Sequence, residues 1–308
     1  MIYKTFDEVN LIPENRCVAL GLFDSLHSGH LSVINEMLRI SKEENLVSTV
    51  QTFSKFRLKG NRMVLTLDER KRIFNELNVE DIIVLEFNET IRNSNPKDFV
   101  NDLIVNKLNA KVVVCGSDYT FGHGGRGDIN LLSDLLQKNN VKLKIVDEVL
   151  QSDEQKVSTS AIKTLLDNGD VKTVAKLCNG RLFEYEGIIE TGNRLGRTLG
   201  FPTINILIPE DKYVVRRGVY LTRTIVEGRV YNSISNVGKK PTIVEEVKKD
   251  IIETHLYDFD DDIYGKEATV QLMDFVRDER LFKDIDELKR QVLSDKDYCY
   301  ERHINGGI

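Results

Sequence analysis

Two of the five histidines in the chain, His27 and His30, lie three residues apart in the segment GLFDSLHSGH, which begins at Gly21 and follows an apolar run. An apolar run that opens through a glycine turn onto a helix is where α/β sheets bind phosphates. Unpaired N–H groups of the first helical turn favour an anion, and imidazoles there can donate to phosphate oxygens as charge develops during transfer. The pattern predicts a phosphate-transfer site, and the alternative is a helix-capping turn with incidental histidines. A zinc site is disfavoured, because neither a cysteine nor an acidic ligand set accompanies the pair.

A second glycine-rich segment, GSDYTFGHGGRGD, follows a predicted strand that ends at Cys115. Its glycines permit close approach of the backbone to a ligand at the carboxyl end of that strand, and the alternative is a flexible surface loop. A third candidate is Ser158-Thr159-Ser160 with Lys163. Hydroxyls at a helix start and a cation one turn later can hold a phosphate of ATP, although an ordinary helix cap explains the same residues.

The second half of the chain contains the segment GNRLGRTLGFPTIN, which runs from Gly192 to Asn205. It is not a Walker A loop, but glycines beside arginines can enclose a polyphosphate. Thr203 and Asn205 share one face of a predicted strand and offer the oxygen ligands that suit Mg²⁺. The simpler interpretation is a β-turn followed by an N-terminal strand cap.

Glu253 and His255 share one face of a later predicted strand, because side chains alternate along a strand. A carboxylate beside a magnesium-nucleotide pocket can accept the proton of an attacking hydroxyl. The pattern therefore indicates a general base at Glu253. The alternative for this residue is an ordinary solvated strand face.

Short apolar runs alternate with helical patterns over about the first 150 residues. Strands are predicted at Val18–Phe23, Val47–Phe53, Asp81–Phe87, Lys111–Cys115 and Val141–Val146, and helices at Leu31–Glu44, Leu67–Asn78, Pro96–Leu108 and Ile129–Asn140. Thr66 and Glu69 form the pattern of a capping box before the second helix. Alternation of this kind predicts βαβ units, with a parallel sheet covered by helices on both faces.

The pattern changes after Gly180, where we predict the junction of a domain of residues 1–180 with a domain of residues 181–308. Two short helices, Ala161–Leu166 and Val171–Leu177, precede it. Strands are predicted beyond it at Phe183–Glu190, Thr203–Leu207, Gly218–Val226, Val230–Asn236, Asp250–Asp258 and Ala268–Phe275, and a helix at Ile285–Ser294. Glu227-Gly228 suits a hairpin turn, and the whole predicts a small antiparallel β-barrel with a C-terminal helix.

The composition narrows the class of protein. A chain of 308 residues is long enough for two domains, and a net charge of −6 leaves no basic excess for non-specific nucleic-acid binding. The four cysteines include no Cys-x-x-Cys pair, which predicts reduced thiols and a cytoplasmic protein. We expect no signal peptide and no membrane partner, because residues 1–16 are polar and acidic and no apolar run reaches the roughly 20 residues that span a membrane.

Together these segments resemble the bacterial bifunctional riboflavin kinase/FMN adenylyltransferases, also called FAD synthetases, over essentially the whole chain. The family pattern G-x-F-D-G-x-H-x-G-H is met at Gly21, Phe23, Asp24, His27, Gly29 and His30. The pattern G-x-D-x-x-F-G is met at Gly116, Asp118, Phe121 and Gly122. The pattern G-R-x-L-G-F-P-T-x-N is met at Gly196, Arg197, Leu199, Gly200, Phe201, Pro202, Thr203 and Asn205. Further likeness lies in the kinase half, including Glu253-x-His255.

The resemblance implies a Rossmann-like nucleotidyltransferase domain before a riboflavin kinase barrel. The barrel would phosphorylate riboflavin with Mg-ATP, with Thr203 and Asn205 at the magnesium and Glu253 as the base. The first domain would transfer AMP from a second ATP to FMN, with His27 and His30 stabilising charge on the α-phosphate. Nucleotide or phosphate binding is expected at Gly21, Phe23, Asp24, Gly29, Gly116, Asp118, Gly122, Ser158, Thr159, Lys163, Gly192, Gly196, Arg197, Gly200 and Pro202, and flavin binding at Asn236 and Arg277.

Three departures from the family pattern lie in the first half. Ser25 replaces the usual glycine, and a serine held at positive φ there would cost about 1 kcal/mol or more. Residues 52–56 lack the family's His-Pro, and Lys163 replaces an arginine. These departures keep open a kinase whose first domain is only structural. A flavin- or nucleotide-binding regulator, a nucleotidyltransferase for another phosphorylated substrate, and a weak homo-oligomer are also left open.

Overall fold

The computed structural model describes residues 2–55, 62–147, 157–191, 201–240 and 249–305. The chain divides into two compact units, Met1–Thr159 and Ser160–Ile308. Because the first unit ends at Thr159, the two short helices before Gly180 lie almost entirely in the second unit. The sequence pattern, by contrast, changes only after Gly180. The functional boundary at residue 180 stays a prediction.

The first unit contains a six-stranded parallel sheet whose strands follow the order β1-β4-β3-β2-β5-β6. The strands are β1 Ile2–Tyr3, β2 Arg16–Leu20, β3 Val47–Phe53, β4 Asp81–Leu85, β5 Ala110–Gly116 and β6 Lys142–Val146. The helices are α1 Ser28–Glu44, α2 Leu67–Glu76, α3 Glu89–Arg92, α4 Pro96–Asp98 and α5 Ile129–Lys138, with a π-helix at Phe99–Lys107 and a 3₁₀ turn at His123–Gly125.

Alternate residues of the central strands are buried on opposite faces of this sheet. Val18 and Leu20 of β2 belong to the apolar core that includes the π-helix and α5. Cys17 and Ala19 belong to the second core, with α1 and α2. Because both faces are covered, β2 reads as a continuous apolar run rather than an alternating one. The predicted α/β architecture is confirmed.

The strand order reverses between β2 and β5, which are neighbours in the sheet although α1 to the π-helix separate them along the chain. In open parallel sheets, ligands bind beyond the carboxyl ends of the strands at such a switch point. The loop after β2 carries His27, and the loop after β5 begins at Gly116. The topology therefore brings the two predicted phosphate-binding loops to one position at the sheet edge.

The second unit is an antiparallel sheet with helices at both chain ends. Its elements are α6 Thr159–Asn168, α7 Val171–Leu177, β7 Phe183–Ile188, β8 Ile204–Leu207, β9 Gly218–Val226, β10 Arg229–Lys240, β11 Lys249–Leu256, β12 Glu267–Asp278 and α8 Ile285–Ile304. The strand order is β7-β12-β9-β10-β11-β8, and a bridge between Glu190 and Asn205 joins the chain after β7 to β8. This bridge closes the sheet into the predicted barrel.

A chain of hydroxyl groups crosses the barrel interior. Each hydroxyl in it lies 2.8 Å from the next, and the order is Thr224, Ser233, Thr222, Ser235 and Thr254. All of these side chains are buried. Mutual hydrogen bonding removes the cost of burying polar groups without a partner, so the barrel core tolerates them.

Several local predictions are confirmed, and others are wrong in their bounds. The capping box at Thr66 and Glu69 is present, and Glu227 and Gly228 form the β9–β10 turn with φ of 50° and 77°. The first predicted strand ends at Leu20 rather than Phe23, because Phe23 adopts a left-handed φ of 53° that no strand continues through. The C-terminal helix extends beyond the predicted Ser294 to Ile304.

Candidate active sites

His27 and His30 form a stacked pair at the start of α1. His27 is the N-cap residue, and its Nδ1 accepts a hydrogen bond from the backbone N–H of His30 at 3.3 Å. The two ring centroids are 3.8 Å apart, with planes 14° from parallel. An accepting Nδ1 leaves the proton of neutral His27 on Nε2. The capping role and the predicted catalytic role therefore coexist in this residue.

The imidazole of His30 is held in its neutral form. The pKa of His30 lies well below its ordinary value, mainly because the ring is buried, and the neighbouring His27 and Arg70 lower it further. Within the part of the chain that the structure describes, its buried Nδ1 has no hydrogen-bond partner. A buried ring nitrogen without a partner is unfavourable, and a phosphate oxygen at this helix terminus would satisfy it. The pair fits an anionic ligand, although His27 itself is only 6% exposed.

Glycines of this segment make room for aromatic rings. A Cβ on Gly21 would lie 2.7 Å from the ring of Phe23, and one on Gly29 would lie 3.1 Å from Cε1 of His27. The Phe23 ring in turn packs edge-on against His30 and Phe74, with centroids 5.5 and 5.9 Å away. Both glycines are thus needed to place the histidine pair. Direct contact of these glycines with nucleotide stays a prediction.

Asp24 and Ser25 connect the loop to other segments. Asp24 is buried, its Oδ1 accepts from the N–H of Val64 at 2.7 Å, and its carbonyl accepts from Leu65. Ser25 is buried and is not one of the residues with positive φ, so the strain expected there is absent. Left-handed φ falls instead on Phe23 and Leu26. The Ser25 hydroxyl lies 3.1 Å from that of Thr159, so serine is accommodated at this position.

The loop at 116–128 folds back on itself at the same sheet edge. Phe121 and Gly127 exchange two backbone hydrogen bonds, of 3.0 and 2.9 Å. Gly122 has φ of 71°, and a Cβ there would lie 2.5 Å from Pro96. Gly116 leaves 3.1 Å between a Cβ and Oδ1 of Asp118. These contacts explain the glycines by packing, and a nucleotide-binding role of Gly116, Asp118 and Gly122 stays a prediction.

The third predicted phosphate site lies at the start of α6. Ser158 precedes this helix, Thr159 begins it, and Lys163 follows one turn later. The ammonium of Lys163 stands 5.3 Å from the centroid of the Tyr213 ring, in a cation–π contact. The helix begins two residues before the predicted Ala161, and phosphate binding by these residues stays a prediction.

The barrel brings three of the residues predicted for the kinase half into one row, whereas Thr203 precedes β8 and lies outside the strand predicted to include it. Asn205 of β8 is the register partner of Glu253 in β11, and Glu253 is the partner of Asn236 in β10. Directly paired residues of antiparallel strands present their side chains on the same face, about 5 Å apart at Cβ. Asn205 is buried and Asn236 is partly buried, whereas Glu253 between them is exposed. A carboxylate therefore stands beside an amide that offers a hard oxygen ligand.

His255 fixes the segment before Thr203, a role that the sequence analysis missed. Its Nδ1 lies 2.9 Å from the carbonyl of Pro202, and its ring packs edge-on to Phe201. Lys296 of α8 stands 5.8 Å from the centroid of the same Phe201 ring. Burial lowers the pKa of His255 and outweighs the hydrogen bond to Pro202, which raises it. The signal in the sequence for this role was the position of His255, two residues from Glu253 on one strand.

Each of the two sites lies in a segment that matches a known protein family. Residues 10–161 match the family model for FAD synthetase, and residues 179–302 match the one for riboflavin kinase. The bifunctional riboflavin kinase/FMN adenylyltransferase of Bacillus subtilis is 34% identical over 91% of this chain and 90% of its own length. The chain belongs to this bifunctional family. The protein of the same name from Escherichia coli K12 is 28% identical over 92% of each chain.

A solved structure of similar fold is described as a macrolide-efflux protein from Streptococcus pneumoniae. It is 27% identical, has a TM-score of 0.85 and covers 97% of this chain and 98% of its own. In the described part of this family member, no helix is long and apolar enough to cross a membrane.

Two residues expected at the flavin of this family member make contacts within the protein. The guanidinium of Arg277 binds both carboxylate oxygens of Asp295 through Nε and Nη2, which ties β12 to α8. The amide of Asn236 donates to Glu279 at 3.4 Å. Flavin binding by Arg277 and Asn236 stays a prediction. The predicted phosphate-binding residues Gly192, Gly196, Arg197 and Gly200 lie outside the described residues, whereas Pro202 lies within them.

Proposed function

We propose that the chain performs two successive reactions of flavin cofactor synthesis. The second unit transfers the γ-phosphoryl group of ATP to the ribityl 5′-hydroxyl of riboflavin, which gives FMN and ADP. The first unit then transfers AMP from another ATP to the phosphate of FMN, which gives FAD and pyrophosphate. The proposal is supported above all by the pairing of both predicted sites in one chain whose relatives share over nine-tenths of its length.

For the kinase reaction, Glu253 is the group that accepts the proton of the attacking hydroxyl. Its exposed position beside Asn205 leaves it within reach of a substrate, and a carboxylate there acts as general base. Thr203 and Asn205 would hold Mg²⁺, which when bound would neutralise the negative charge that develops in phosphoryl transfer. The described residues include no cluster of three or more His, Cys, Asp or Glu able to hold a metal.

For adenylyl transfer, His27 and His30 would donate to the phosphate at which charge develops. The low pKa of His30 keeps it neutral before substrate binds, and a neutral imidazole retains one N–H to donate. The N–H groups of the first turn of α1 add a fixed positive end. Residues Gly116 to Gly122, together with Ser158 and Thr159, are the further parts of the first unit that we expect at this nucleotide.

A kinase with a purely structural first unit has less support than the bifunctional enzyme. One argument for the kinase-only alternative was backbone strain at Ser25, but Ser25 does not have a positive φ. The FAD synthetase match covers most of the first unit. We also propose that the enzyme acts in the cytoplasm, as the lack of a Cys-x-x-Cys pair in the sequence indicates, and all four cysteine side chains are buried.

Product analysis tests the proposal directly. The full chain is incubated with riboflavin, ATP and Mg²⁺, and flavins are separated by chromatography. We expect FMN to appear first and FAD to follow. FMN without FAD would support the kinase-only alternative, and recovery of neither product would contradict both activities.

A further inference from the structure

An arginine is completely buried beneath the histidine pair. Arg70 of α2 is 0% exposed, and it is the largest of the fully buried side chains. Its Nη1 donates to the carbonyls of Leu22 and Phe53, both at 2.9 Å, and its Nη2 donates to the carbonyl of Ser54 at 3.0 Å. Burying a guanidinium costs free energy unless its donors find acceptors, and here backbone oxygens supply acceptors for Nη1 and Nη2.

The acceptors of Arg70 belong to two different segments at the carboxyl edge of the parallel sheet. Leu22 lies in the loop that leads from β2 to His27, whereas Phe53 is the last residue of β3 and Ser54 follows it. Thr52 joins the same network, because its hydroxyl donates to the carbonyl of Leu22 at 2.8 Å and lies 3.0 Å from Nη1 of Arg70. One side chain thus holds the ends of two neighbouring strands together.

The planar, multidentate form of the guanidinium suits this task. Its donors point in fixed directions and reach acceptors on separate segments at once, whereas a lysine ammonium at the same site is a point charge on a flexible stem. The loop held in this way includes Phe23, whose ring packs against His30. A shift of the Leu22 carbonyl would therefore be passed to the histidine pair through Phe23.

We propose that Arg70 is a positioning residue for adenylyl transfer, which clamps the β2–α1 loop to the end of β3 and so holds His27 and His30 in place. Arg70 touches neither substrate in this role, and it acts through the backbone of Leu22. The proposal rests on the adenylyltransferase function proposed above. It extends that function to a residue outside the motifs of the family pattern.

The test compares Arg70→Lys and Arg70→Met with the wild-type chain. Arg72→Lys and Arg72→Met are the matched controls, because Arg72 lies on the same helix with its side chain 40% exposed, beside Glu76. FAD formation from supplied FMN and FMN formation from riboflavin are measured for each variant. For Arg70→Lys we expect kcat for FAD formation to fall roughly 10- to 100-fold, as for a small misplacement of catalytic groups, with FMN formation unchanged.

A second measurement separates the clamp from a general loss of folding. The imidazole of His30 is titrated by NMR without substrates, with its signal assigned by its loss in His30→Gln. Arg70→Met removes a positive charge that lowers the pKa of His30, so that pKa should rise. Arg70→Lys retains the charge, and it should leave the pKa nearer the wild-type value while still slowing FAD formation.

The outcomes distinguish the two proposals. Wild-type FAD formation by Arg70→Lys would overturn the clamp, as would a parallel fall of FMN and FAD formation, which would indicate an effect on the whole fold. Absence of FAD with the wild-type chain would contradict the proposed function instead. The titration of His30 would then still test the contact, because an unchanged pKa in Arg70→Met would also overturn it.

Discussion

The hydroxyl of Ser25 lies 3.1 Å from the hydroxyl of Thr159, across 134 residues of sequence. One residue belongs to the loop that carries the histidine pair, and the other begins α6. Both segments were predicted to hold phosphate. The contact gives a function to the serine that replaces the usual glycine of the family.

Ser25→Ala and Ser25→Gly should weaken the same contact. Loss of one hydrogen bond should reduce the free energy of unfolding of the first unit by about 1 kcal/mol, since that is the typical net value. We also expect KM for ATP in FAD formation to rise, with FMN formation unchanged. Denaturant titration and steady-state kinetics measure the two effects. If only the glycine variant were impaired, backbone freedom rather than the hydroxyl would be responsible.

His30→Ala should abolish FAD formation while leaving FMN formation largely intact. The reason is that His30 lies in the first unit and Glu253 in the second, so each variant removes one chemistry. Asn35→Ala is the control, because Asn35 is an exposed residue of the same helix α1. Product chromatography gives both rates, and comparable loss of both products would show that the two reactions depend on each other.

Glu253→Gln should lower FMN formation by roughly 10²- to 10⁴-fold, the usual contribution of a general base. The amide keeps the size of the side chain but cannot accept the proton. FAD formation from supplied FMN should remain at the wild-type rate. Glu267→Gln, an exposed position on β12, serves as the control. A Glu253→Gln enzyme with normal kinase activity would require another base.

The histidine pair should make the first unit sensitive to acid. The pKa of His30 is lowered in the folded state by burial, by His27 and by Arg70, so between that pKa and the ordinary value of 6.5 only the unfolded chain binds the proton. Stability is therefore fully present above about pH 6.5 and is lost as the pH falls toward the folded pKa. Denaturant titrations at several pH values should show a smaller loss for His30→Gln than for wild type. An equal loss in His30→Gln and wild type would assign the sensitivity to other groups.

His255→Leu should raise KM for ATP in FMN formation, because the carbonyl of Pro202 loses its partner next to Thr203. His255→Asn should retain part of the wild-type value, since its amide can donate from a position near that of Nδ1. Kinetics of FMN formation at varied ATP compare the two variants. Equal impairment of both would show that the ring itself, packed on Phe201 and Tyr257, is what matters.

Local patterns predicted most of the elements that form both units. The apolar stripe of α1 and the Thr66–Glu69 capping box depend on residues close in sequence, and both appear where expected. A strand was predicted through Phe23, because no local signal in the sequence indicates a positive φ at a phenylalanine, but Phe23 adopts a left-handed φ. The ring contacts with His30 and Phe74 stabilise that conformation, and they exist only after folding.

The sequence by itself determined the class of each unit and the identity of most candidate residues, because strand and helix periodicities and short motifs are local properties. Only the tertiary structure decided which of these residues meet. The strand order placed the loops after β2 and β5 at one switch point, and the register of β8, β11 and β10 set Asn205, Glu253 and Asn236 in a row. The clamp of Arg70 and the Ser25–Thr159 contact likewise join segments distant along the chain. Such pairings depend on the packing of the whole core, which no short stretch of sequence specifies.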